Sequence, residues 1–154
     1  MKLLLLPLLL SVGILISGKV YSAQMDITPT YTWTEYITID GVTIEYVFQE
    51  CNSELVSNQT LVLFRYSNNT DQEVTLTWKL KTFRNNQCSN CDHLHKDEYT
   101  RTITLAPGEI FTGDCTSKTD KKSYEFSHFI NKVPGMSDTK LTSFEFVDIQ
   151  VITK

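Results

Sequence analysis

Four side chains with metal-type or redox-type chemistry fall in one short stretch, Cys88-Ser89-Asn90-Cys91-Asp92-His93-Leu94-His95. Thiolate and imidazole are ligands that zinc and copper prefer, and histidines at i and i+2 share one face of an extended chain. Cys88, Cys91, His93 and His95 therefore form a candidate metal set, although structural zinc sites usually draw two ligand pairs from separate elements. Dithiol exchange at Cys88-x-x-Cys91 is a second chemistry. It calls for a thiol of lowered pKa, commonly at a helix N-terminus beside a parallel sheet, and here the pair follows an alternating strand. The third reading is a disulfide. Four cysteines allow three pairings; Cys88–Cys91 with Cys51–Cys115 is favoured because the first two share a tight loop. Loop entropy assigns about 4 kcal/mol to the long bridge and about 2 kcal/mol to the short one. Two disulfides are the leading expectation, with metal binding and a thiol–disulfide enzyme as alternatives.

The elements that must position this loop begin after a leader. Residues 1–22 read as a secretory signal peptide: a basic start at Lys2, an apolar run from Leu3 to Ile16, and small residues at Ser22 and Ala23. The apolar run is too short to span a bilayer comfortably. The predicted mature chain, residues 23–154, suits a single domain able to bury its own core. The formal net charge is −4, and loss of a leader carrying Lys2 and Lys19 makes it two units more negative. An acidic chain argues against nucleic acid or an anionic membrane surface as the main partner.

The loop is reached through Glu73–Cys91. Val74, Leu76, Trp78 and Leu80 alternate with Thr75, Thr77, Lys79 and Lys81, the period of a half-buried strand. Upstream, Tyr31–Ile39 and Val42–Phe48 flank Asp40-Gly41, a two-residue hairpin turn. Leu61–Tyr66 reads as a strand, followed by a turn at Ser67–Asp71. Downstream, Tyr99–Leu105 alternates, and Ala106-Pro107-Gly108-Glu109 turns into Ile110–Cys115. Phe126, Phe129, Ile130 and Val133 recur at helical spacing, so one short helix is expected over Asp120–Asn131, closed by Pro134-Gly135. Leu141–Ile152 changes phase between Phe144/Phe146 and Val147/Ile149/Val151, which a bulge near Phe146 or burial on both faces would explain. About seven strands with regular turns predict an all-β, antiparallel sandwich.

The turn Asn68-Asn69-Thr70 before Val74-x-Leu76-x-Trp78, and the run Leu105-Ala-Pro-Gly-Glu109, resemble bacterial immunoglobulin-like modules. Trp78 through Cys91, Pro107-Gly108-Glu109 through Cys115, and Leu141-Thr-Ser-Phe144 look similar to small secreted immunoglobulin-like proteins of the Bacteroidetes type. The resemblance implies an immunoglobulin-like sandwich and no particular activity. The spacing departs from antibody domains, because Trp78 lies far from Cys51.

Other residues have plainer readings. Tyr31, Trp33 and Tyr36 can form an aromatic platform for a sugar or peptide, but packing onto the sandwich is the expectation. Arg101 is expected to snorkel rather than to pair with a buried acid. Lys118, Lys121 and Lys122 read as a solvated basic cluster. Asn58-Gln59-Thr60 and Asn68-Asn69-Thr70 match the N-glycosylation acceptor pattern. His128 has no partner in sequence that would make it a general base, and no nucleophile-elbow, P-loop, zinc-protease or calcium-loop motif occurs. The sequence thus predicts a secreted or periplasmic, non-catalytic binding or interaction module without a cofactor. It would recognise a protein or glycan through the loop Asn85–Lys96. Pairing of two copies through exposed sheet edges stays open.

Overall fold

A computed structural model describes residues 31–53, 56–116, 120–132, 134–136 and 139–154. The leader, Lys118 and Val133 lie outside the described residues. Strand β1 (Thr34–Ile39) turns into β2 (Val42–Ser53) through Asp40 and Gly41, both at positive φ (46° and 79°), as a primed two-residue turn requires. There follow β3 (Val56–Asn68), β4 (Val74–Arg84), β5 (Gln87–Cys88), two single 3-10 turns at Cys91–His93 and Asp97–Tyr99, then β6 (Thr100–Leu105), β7 (Ile110–Thr112), β8 (Tyr124–Phe129) and β9 (Leu141–Thr153).

These strands make two antiparallel sheets built on one plan. In the first, β1, β2 and β3 lie side by side, and the short strands β7 and β8 share the far side of β3. In the second, β9 runs along the whole of one side of β4, while β6 and β5 share the other. The two halves of the first shared side meet at Phe64, whose carbonyl accepts the Gly113 N–H at 2.8 Å and whose N–H donates to Ser123 at 3.0 Å. Gly113 has to be glycine because a Cβ there would collide with the Ser123 carbonyl.

The sheets pack on one another through alternating side chains. Val74, Leu76, Trp78 and Leu80 of β4 are buried against Val42, Ile44, Val62, Phe64 and Tyr66 of the first sheet. Trp78 lies 4.9 Å from the Tyr66 ring and 6.1 Å from Phe146, centroid to centroid. At about 25 cal/mol per Å² of apolar surface, each such side chain contributes about 1.5–3 kcal/mol. A second cluster of Val47, Cys51, Leu61 and Leu63, with Trp33, Cys115 and Tyr124 against it, covers the outer face of the first sheet. Burial on both faces explains why Leu61–Phe64 is an unbroken apolar run.

Cys51 is bonded to Cys115 and Cys88 to Cys91, with Cα–Cα separations of 5.5 and 5.8 Å. The first bond belongs to the outer cluster, away from Trp78, and so does not pin the two sheets together as the antibody bridge does.

Two expectations need correction. Asp120–Asn131 holds no helix: a turn at Lys121–Ser123 leads into β8, which pairs with β3. The misleading spacing has a specific cause. The register shifts between Thr60 and Leu61, leaving Ser127 as an extra residue, and this brings Phe126 and Phe129 to one side with ring centroids 4.8 Å apart. A bulge thus imitates an i, i+3 period. The strand count is also higher, at nine among the described residues, because β8 stands where the helix was expected and β5, two residues long, is too short to leave a period. In β9 the phase change is a bulge at Asp148 (φ 53°), which brings Phe144, Phe146, Ile149 and Val151 all to the shared core.

Candidate functional site

Strand β4 is interrupted on one side. The β6 ladder ends where Thr100 faces Lys79, and β5 pairs only Phe83 and Arg84, so Leu80–Thr82 have no partner strand there. The Asn90 side chain takes that place. Its Oδ1 accepts the Thr82 N–H at 2.9 Å and its Nδ2 donates to the Leu80 carbonyl at 2.8 Å, the pair of bonds a neighbouring strand residue would make. Ser89 adds a backbone bond to the Thr82 carbonyl and a 2.7 Å contact between the Ser89 and Thr82 hydroxyls. The Cys88–Cys91 bond closes around Ser89 and Asn90. The paired-cysteine loop therefore holds a side-chain plug in the sheet.

This arrangement decides the fate of the candidate ligands. With Cys88 and Cys91 joined, neither is a thiolate, so the four-ligand metal set is not assembled. His93 stacks on Tyr99 instead, with centroids 6.2 Å apart and planes 16° from parallel. No group of three or more metal-type side chains comes together among the described residues. The pair also sits beside an antiparallel hairpin and a 3-10 turn rather than at a helix N-terminus, so the feature that lowers a redox thiol's pKa is missing.

Beside the plug lies a cleft of about 450 Å³ where the two sheets part. Leu80, Thr82 and Arg84 come to it from β4, Ser89 and Asn90 from the loop, Tyr99 and Arg101 from the start of β6, and Lys121, Tyr124, Glu125 and Phe126 from the β8 region. Glu125 is the hub. Its Oε2 accepts from Arg101 Nη2 at 2.8 Å and its Oε1 faces Arg84 Nη2 at 3.4 Å, so one carboxylate ties β8 to both β6 and β4. Arg84 also donates to the Ser127 and Phe126 carbonyls at 3.0 and 2.7 Å. Contrary to the expectation from sequence, Arg101 does not snorkel: its side chain is 12% exposed and salt-bridged to Glu125. Its Nη1 is buried without a hydrogen-bond partner, a condition that costs about 1–3 kcal/mol.

Lys121 stands at the rim, exposed, with its Nζ 6.0 Å from the Tyr99 ring centre. Lys122 instead faces Asp120 and the Phe111 ring.

The remaining candidates are not in the cleft. Trp33 packs on the outer cluster under the Arg65 guanidinium, which is held by Glu45, while Tyr36 packs on Phe144 and Phe146 in the shared core. No joint aromatic platform results. Asn68 is 1% exposed and bonded through Nδ2 to Gln72, Leu105 and Ala106 carbonyls, so that acceptor pattern is structural. His128 Nδ1 lies 3.0 Å from the Ser127 hydroxyl; burial, then Lys140 and Lys132, lower its pKa against an opposing pull from Glu50.

No protein-family model, curated protein or solved structure matches the chain. Among the described residues, no helix is long and apolar enough to cross a membrane.

Proposed function

We propose that this is a secreted or periplasmic, non-catalytic binding module of immunoglobulin-like type, which takes its ligand in the cleft beside the Cys88–Cys91 loop. One observation carries the reading: charged and aromatic side chains from both sheets converge on a single concave site, next to a loop that a disulfide and the Asn90 plug keep rigid. Convergent polar groups in a preformed cleft are what small-ligand recognition needs. Two disulfides suit an oxidising compartment, in keeping with the predicted leader.

The test is a glycan and peptide array probed with the oxidised protein and with Tyr99→Ala, after thermal melts establish that the variant is folded. Retention on a subset of probes, lost in the variant, is the expected result. Retention on none, or equal retention by both proteins, would sink the reading.

A further inference from the structure

Resting on the cleft-binding reading above, we propose that the cleft recognises an organic carboxylate, held between Arg101 and Lys121. The argument begins with charge. Among the described residues Glu125 is the only acid lining the cleft, against Arg84, Arg101 and Lys121, so these lining groups carry two positive charges more than negative in a chain whose net charge is −4. Lys122 is matched by Asp120, whereas Lys121 makes no ion pair with a described residue.

The second step is geometry. Arg101 commits Nη2 to Glu125 and leaves Nη1 buried without an acceptor. Glu125 already demonstrates what the cleft accepts: its carboxylate spans Arg84 and Arg101, one oxygen to each. A ligand carboxylate repeats the pattern on the next cations, taking Lys121 Nζ at the rim and lying against the Arg101 guanidinium, whose positive charge Glu125 shares with Arg84. Charge-assisted bonds of this type are the short, strong ones, and they reject neutral analogues by leaving donors unpaired. The volume, about 450 Å³, exceeds what an inorganic anion fills, so an organic acid is the fitting occupant.

The test titrates benzoate, benzamide and sulfate separately into the isotope-labelled, oxidised protein and follows backbone amide resonances. Benzoate should shift Tyr99, Arg101 and Lys121. Lys121→Ala, at an exposed position that leaves the fold intact, should weaken benzoate about tenfold, and Lys121→Arg should restore it. No shift at those residues, or unchanged affinity in Lys121→Ala, overturns the proposal. Equal binding of benzamide or sulfate also overturns carboxylate recognition while leaving the cleft as a binding site. If array retention fails as well, the binding-module reading falls with it.

Discussion

Asn90 completes a β-ladder with its side chain: its Oδ1 accepts the Thr82 N–H at 2.9 Å where no strand residue reaches. Replacement by alanine leaves the Thr82 N–H and the Leu80 carbonyl unpaired beside a largely buried strand. Asn90→Ala should cost about 2–3 kcal/mol, and Asn90→Asp, which keeps the acceptor and loses the donor, about half of that. Urea unfolding of the three proteins measures the difference, and equal midpoints would show that the plug contributes nothing to stability.

The two disulfides should separate under mild reduction. Cys91 is exposed, whereas Cys51 is 2% exposed within the outer cluster. Attack by a small thiol depends on access, so Cys88–Cys91 opens first. Its loss should cost about 2 kcal/mol, against about 4 kcal/mol for the long bridge. Thiol labelling with mass spectrometry, sampled over the course of reduction, gives the order directly. Labelling of Cys51 and Cys115 ahead of the loop pair would contradict it.

Glu125→Gln removes the charge that joins two arginines across the sheets. Arg84 and Arg101 are then left side by side, 19% and 12% exposed and mutually repulsive. The expected loss is about 2–3 kcal/mol, because removing one member of a largely buried pair strands the other. Glu125→Gln combined with Arg101→Gln should recover part of this. A double variant no more stable than Glu125→Gln would mean that the repulsion is screened.

Much of this architecture was legible in the residues. Asp40-Gly41, the alternation along β4 and the turn at Ala106–Glu109 each expressed one local rule, and each forms as read. The bulge at Ser127 shifts the period by one residue, which made β8 look helical, whereas the phase change in β9 did signal a bulge, found at Asp148, two residues beyond Phe146. The cleft was less visible still. Arg101 on the apolar face of an alternating strand was the one clue to it, and Glu125 lay inside the expected helix, where nothing suggested that it meets Arg84 and Arg101. The Asn90 plug leaves no sequence signal, because the gap it fills is set by where β5 and β6 stop.

Gly113→Ala tests the junction at Phe64. A Cβ at this position meets the Ser123 backbone, which cannot move without breaking the Ser123–Phe64 bond. A loss of about 3 kcal/mol or failure to fold is expected, as for other forced overpacking of a closed site. Gly108→Ala is the comparison: space is open there, but φ of 70° strains any side chain, so the cost should be only about 1 kcal/mol. Thermal melts rank the two, and a Gly113→Ala variant as stable as Gly108→Ala would argue against the tight junction.

His128 gives the fold a pH dependence of definite sign. Burial and the nearby charges of Lys140 and Lys132 lower its pKa below the ordinary value of 6.5, so the unfolded chain takes up the proton first as pH falls. The folded state therefore has its full advantage above the unfolded value and loses it progressively as the pH drops from there to the folded value. Urea midpoints compared at about pH 7.5 and about pH 5.5 should fall on acidification, and His128→Gln, which cannot take up the proton, should show a smaller fall. If both proteins lose the same stability over that interval, the acid sensitivity arises elsewhere in the chain and the His128 site does not contribute to it.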